Sequence, residues 1–172
     1  MVIVLSLRSS LHRFRWEKTI GGMDKRWYST EGTQTESRDR EVYGMLGEET
    51  FHQLAASFYK KVKQDDILLP MYQHSQHHRG EPDLSLSESR LCDFLIGRFG
   101  GPQRYIEQHG HPRLRFRHNP FPIDQKARDR WMAHMETCME EVLGNDKTTV
   151  PYRELHTFFR SMSQFMINRP SA

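Results

Sequence analysis

Four stretches of this chain place apolar residues at helical intervals, and none alternates with period two over the length of a strand. In the first, from Glu48 to Lys63, Phe51, Leu54, Ala55, Phe58 and Val62 form one stripe with Tyr59 beside it. In the second, Leu91, Phe94, Leu95 and Phe99 share a face. Ser85 and Glu88 predict a capping box at its start, and Gly100-Gly101-Pro102 ends it. The third follows Asp124, a good N-cap, and carries Ala127, Trp131, Met135, Cys138 and Val142 as far as Gly144-Asn145. The last accepts Pro151 in its first turn and aligns Tyr152, Leu155, Phe159, Met162 and Met166. One-sided helices bury their stripes against one another, so the fold class is all-α. A length of 172 residues suits one domain with a real core, and no internal repeat is visible.

With 36% hydrophobic residues, the chain has no run of about 20 apolar residues able to cross a bilayer, so no membrane span is expected. Its charge is uneven. Residues 1–28 carry six of the 25 basic residues (Arg8, Arg13, Arg15, Lys18, Lys25, Arg26) but only Glu17 and Asp24 of the 22 acids. The remainder is close to neutral, which excludes a phosphate-tracking footprint and nucleic acid as a partner. The Arg-rich, Ser-rich start has no acid before Glu17 and fits a mitochondrial-type presequence over 1–28. The string "RWYST" places its cleavage after Tyr28. A chloroplast transit peptide and a basic tail on a cytoplasmic protein are the alternatives. Residues 29–40, "STEGTQTESRDR", hold too few apolar groups to pack and are expected as a disordered linker to a domain over 41–170. Cys92 and Cys138 lie far apart with no C-x-x-C, and are expected as reduced core thiols.

The segment "GHPRLRFRHNPFPI", Gly110 to Ile123, interleaves Arg113, Arg115 and Arg117 with Leu114, Phe116 and Phe121, and is broken by Pro112, Pro120 and Pro122. His118 sits where the chain is stiff without being a long helix. A histidine held that way suits a metal, which needs a neutral imidazole nitrogen on a fixed vector and an acceptor for the other ring nitrogen. From the pattern alone, a histidine near an apolar face is more often a satisfied core or surface residue than a ligand. His74, His77 and His78 form an HxxHH cluster in a stretch without apolar residues, open to zinc or nickel or to a solvated patch.

From about Tyr43 to Asn168 the chain resembles the truncated, two-on-two haemoglobins of the second group. The motifs that carry the likeness are "FYKKV" (Phe58 to Val62), "MY" (Met71-Tyr72), "RLCDFL" (Arg90 to Leu95), "FGGPQRYIEQHGHPRLRFRHNPFPI" (Phe99 to Ile123) and "RDRWMAHM" (Arg128 to Met135). The resemblance implies a truncated globin, a two-on-two helical sandwich around haem b. It implies His118 as the proximal iron ligand and Tyr59, Tyr72 and Trp131 as distal residues facing bound gas. Ser87 and Leu91 take other distal helix positions, Arg90 and Arg117 match haem-propionate positions, and Phe121 joins the cofactor-contacting set. The missing C-x-x-C-H makes the haem non-covalent. One departure is "LGEETF", with a single glycine, Gly47, where the family usually has two.

A neutral proximal histidine implies a five-coordinate ferrous iron open to O₂, and three distal donors imply tight holding of a ligand that carries partial negative charge. This points to nitric oxide or peroxide turnover, as a nitric oxide dioxygenase or a peroxidase-like enzyme. Storage or sensing of O₂ or NO without turnover is the second reading, and a haem-free helical interaction domain the third. No output or reductase domain is legible, so turnover calls for an external reductase. The oligomeric state is not encoded in any pattern found.

Overall fold

Gly47 breaks the first helix. In the computed structural model, which describes residues 34–75 and 84–170 and the side chains of 41–72 and 84–170, helix α1 spans Gln34–Val62 and turns out of helical geometry at Gly47 (φ 71°, ψ 166°). Glycine, with no Cβ, adopts such a positive φ without penalty. The lone glycine of "LGEETF" therefore starts a fresh helical segment, where the Glu48–Lys63 stripe was predicted. Residues 34–40 of α1 lie in the stretch whose composition suggested a linker. The expected presequence, and the side chains of the His74, His77 and His78 cluster, lie outside the described residues.

After α1 come α2 (Leu69–Ser75), α3 (Ser85–Arg98), α4 (Arg104–His109), α5 (Leu114–His118), α6 (Gln125–Leu143) and α7 (Val150–Met166). Every regular element among the described residues is a helix, and none is long and apolar enough to cross a membrane. α1 packs on α3, α6 packs on α7, and α1 crosses onto α6. Two helix pairs stacked in this way form the expected two-on-two sandwich. Phe51, Phe58, Leu54, Leu95, Phe99, Met135, Leu155 and Phe159 fill its core. Cys92 and Cys138 are buried free thiols, as expected, and burial pushes the Cys92 thiol up to about 12.

Helix starts follow the sequence unevenly. Asp124 caps α6 as predicted, its Oδ1 accepting from the Ala127 N–H at 2.8 Å. The capping box at Ser85 and Glu88 is not formed: Leu84 holds the N-cap position with no side-chain cap bond, and Ser85 is already helical. Leu84 is only 1% exposed, so its burial, not a hydroxyl, sets where the chain enters α3.

At the α3–α4 junction the backbone of Gly101 lies against Tyr43 and Ile96. A Cβ there would stand 2.5 Å from a Tyr43 ring carbon and 2.7 Å from the Ile96 methyl. Gly101→Ala is therefore expected to lower stability by about 1–3 kcal/mol through overpacking, read as a lower midpoint in urea. An unchanged midpoint would show that Tyr43 swings away at no cost.

Candidate functional site

All of Tyr59, Tyr72, Ser87, Arg90, Leu91, Arg117, His118, Phe121 and Trp131 line a single cavity of about 460 Å³. Its walls are mostly apolar, supplied by Phe58, Phe94, Leu95, Phe158, Met162 and Met166 among others. That volume lies within the ~300–1,000 Å³ of cofactor and ligand sites. Leu91, Phe94 and Trp131 belong to the predicted stripes but are only half-buried, because they face this space.

His118 ends the five-residue α5. The helix is preceded by Arg113 in left-handed conformation (φ 41°) and cannot extend past Asn119-Pro120. The His118 Nδ1 lies 2.7 Å from the Leu114 carbonyl oxygen. A carbonyl only accepts, so Nδ1 carries the proton and Nε2 is left with a lone pair. Burial holds the imidazole below its ordinary value, outweighing the Leu114 bond, and keeps it neutral. No described residue hydrogen-bonds Nε2. The competing His111 is exposed, accepts from the Arg113 N–H at 3.1 Å, and does not line the cavity.

The stiffness of this wall has a source the sequence pattern did not reveal. Asn168, just past α7, donates from Nδ2 to the carbonyls of His118 (3.2 Å) and Phe121 (3.0 Å) and accepts the Ile123 N–H on Oδ1 (3.1 Å). Arg117 lines the cavity, but its Nε and Nη2 donate to the carbonyls of Pro112 (2.8 Å) and His109 (2.9 Å). It braces the loop into α5 while keeping its charge at the rim. Arg90 is exposed and has no partner among the described residues. Arg128, noticed earlier only as part of a motif, joins the lining and is held by Ser163 Oγ (3.1 Å) and Asp129 (2.8 Å).

Also on the lining, the hydroxyls of Tyr59 and Tyr72 stand 3.5 Å apart, at the outer limit of a hydrogen bond, and either can donate. Burial, reinforced by the neighbouring Tyr72, raises the Tyr59 phenol well above its ordinary value, and burial also raises Tyr72. Both remain protonated donors at neutral pH. The Trp131 ring sits 5.3 Å from Phe58 and 5.7 Å from Phe159. Its indole N–H meets no acceptor among the described residues.

One buried carboxylate supports this side. Asp65, whose side chain is 1% exposed, accepts from the N–H groups of Ile67 (2.9 Å) and Leu68 (2.7 Å) on Oδ1. Its Oδ2 meets Arg130 Nη1 (2.9 Å) and His134 Nε2 (2.7 Å). It thus ties the turn into α2, which carries Tyr72, to α6, which carries Trp131. Burial pushes its carboxyl up, but the bonds from Leu68, His134, Ile67 and Arg130 outweigh burial and hold it below the ordinary 3.8. A depressed folded value adds stability above the unfolded value, lost as pH falls through the folded one. The melting temperature of Asp65→Asn is therefore expected to fall less than the native one between neutral pH and about pH 3. Parallel curves would show that Asp65 is not a source of acid sensitivity.

These residues fit haem. The donor set offers a neutral imidazole whose Nε2 has no partner among the described residues, apolar walls for a porphyrin and arginines at the rim for its carboxylates, and leaves an indole N–H with no acceptor among those residues. The bacterial-like globin family model matches residues 41–165. A group 2 truncated hemoglobin of Bacillus subtilis is 37% identical over 100 residues, 58% of this chain and 70% of the relative. Among solved structures, a thermostable hemoglobin from Thermobifida fusca aligns with TM-score 0.66 and 37% identity over 76% of this chain and 98% of its own. A truncated oxygen-avid haemoglobin from Bacillus subtilis aligns with TM-score 0.64 and 31% identity over 74% and 98%. The chain belongs to the bacterial-like globin family, as a group II truncated haemoglobin that binds O₂ with haem as its cofactor.

Proposed function

We propose that the chain holds O₂ at a five-coordinate haem iron bound by His118, under donors from Tyr59, Tyr72 and Trp131, and spends it on nitric oxide or peroxide turnover with electrons from an external reductase. The observation that carries this reading is the meeting, in one apolar cavity, of two protonated phenols with an indole N–H and a histidine Nε2 that have no partner among the described residues. Haem, when bound, supplies an iron that takes O₂ in its ferrous state and exchanges electrons. His118 supplies the protein ligand, and its Nδ1–H, fixed on Leu114, makes Nε2 a stronger donor. Tyr59 and Tyr72 keep their protons and offer them to a ligand. Trp131 adds an N–H whose bond strengthens as negative charge grows on that ligand. Donors aimed at developing charge in a water-poor cavity favour a charged transition state over a neutral ligand. The oxygen avidity of the Bacillus subtilis haemoglobin is the behaviour such a cavity supports.

Mixing the oxygenated protein with nitric oxide in a stopped-flow cell tests the reading. Rapid conversion to the ferric protein with one nitrate formed per O₂ is expected. An oxygenated form that survives both nitric oxide and hydrogen peroxide would leave storage or sensing as the function.

A further inference from the structure

Phe116 is 76% exposed, the most exposed of the large apolar side chains described, and it sits two residues from the iron ligand. Around it the chain carries no acid from Gln108 to Ile123, while Arg113, Arg115 and Arg117 supply three positive charges. The flanking acids are Glu107 and Asp124, and Asp124 is occupied in capping α6. α5 packs on α7, whose sequence has no acid after Glu154 and whose end is marked by the exposed Arg160 and Arg169. Arg115 joins the two segments: its Nη1 donates to the Phe165 carbonyl at 3.1 Å, and its guanidinium lies 5.2 Å from the Phe165 ring. These are neutral partners, so the arginine keeps its full charge. On a domain that is otherwise close to neutral, this is a basic stretch of chain that carries an exposed aromatic and is joined to α7 through Arg115. Leu114, Arg117 and His118 turn to the cavity, whereas Arg115 and Phe116 do not line it.

We propose that the face formed by Arg115, Phe116 and the end of α7 is the docking surface for an acidic one-electron carrier protein that reduces the ferric form. This rests on the reading of the chain as a turnover protein, since each nitric oxide consumed leaves ferric iron that must regain one electron. The step balances simply: the reduced carrier loses one electron, the ferric iron gains it, and no atom or proton moves. Charge complementarity selects the partner, because opposite potentials steer encounter and raise association rates by about 10–1,000-fold at low salt. An exposed aromatic ringed by arginine has the composition of an interface centre, enriched in aromatics and Arg. Small, salt-sensitive contacts of this type suit electron-transfer partners, which must also separate. The location decides between an acidic protein and an anionic lipid surface: the patch lies on the helix that ends in the iron ligand, the short route for an electron.

The test uses the haem-loaded chain and, as probe, an acidic [2Fe–2S] ferredoxin. Binding of the oxidised ferredoxin is followed by shifts of its amide resonances, and reduction of the ferric globin by the reduced ferredoxin in a stopped-flow cell. Binding and reduction are expected to weaken steeply from about 20 to 200 mM salt. Arg115→Glu and Phe116→Ser are each expected to lower both by about tenfold, with reduction by dithionite unchanged. Arg153→Glu, twelve residues before Phe165 in α7 and so about 18 Å away along the helix, is expected to change neither. Equal binding by all variants, or no binding by the native chain, overturns the proposal. Cosedimentation with phosphatidylserine vesicles through Arg115 and Phe116, without ferredoxin binding, overturns it in favour of a lipid surface. If the oxygenated form fails to consume nitric oxide while ferredoxin binding responds to these variants, the turnover reading falls and the docking surface stands.

Discussion

His118→Ala is expected to fold and to lose its haem on gel filtration, with no stable Soret band on the protein fractions. The side chain removed is the one whose proton is fixed on Nδ1 by Leu114 and whose Nε2 is left for a metal. The substitution takes away the proposed iron ligand while the apolar wall stays. Added imidazole, able to enter the vacated space, is expected to restore part of the retention. His111 is the nearest competitor in sequence, but it is exposed and its Nδ1 is taken by the Arg113 N–H. His111→Ala should therefore keep the native ferrous spectrum. The reverse pattern, haem lost in His111→Ala and kept in His118→Ala, would overturn the assignment.

In the same cavity, Tyr59→Phe and Trp131→Phe are each expected to speed O₂ dissociation by about ten- to a hundredfold with haem retention unchanged. Each removes one donor to a partly charged ligand, a bond worth about 1.5–3 kcal/mol. Tyr59 and Tyr72 are within reach of each other, so losing one hydroxyl alters what the other does. A Tyr59→Phe/Tyr72→Phe double variant should then depart from the sum of the two singles by about 0.5 kcal/mol or more. Flash photolysis and O₂-displacement rates on the single and double variants measure this. Unchanged rates in both singles would make Tyr59 and Trp131 packing residues, held in place by contacts such as those of Trp131 with Phe58 and Phe159.

The helices and the cavity lining were legible in the sequence for different reasons. Burial is periodic in a helix, so Phe51, Leu54, Phe58, Leu155 and Phe159 announced themselves by spacing alone. The site residues did not. Tyr59, Tyr72 and Trp131 come from three helices, and no local rule separates a phenol aimed into a cavity from one packed beside it. The family likeness brought them together on paper, and the structure places all of them on one cavity. Residues acting over long sequence distances stayed invisible. Asp65 reaches Arg130 and His134 across 65 and 69 positions, and Arg128 reaches Ser163 across 35. Pairings of that kind depend on how helices cross, which spacing along one helix does not carry. The failed capping box at Ser85 shows the converse. A correct local motif yielded to the burial of Leu84, because an apolar side chain withdrawn from water is worth more than one exposed cap bond.

The grip of Asn168 on the carbonyls of His118 and Phe121 also bears on how the protein is made. These partners are separated by 50 and 47 positions. At about 5–20 residues per second, a ribosome that has just added His118 takes some seconds more to reach the residue that clamps it. During that interval the wall has its prolines but not its outer brace. The brace on the wall that carries His118, the proposed iron ligand, is thereby completed only once synthesis has passed the final helix.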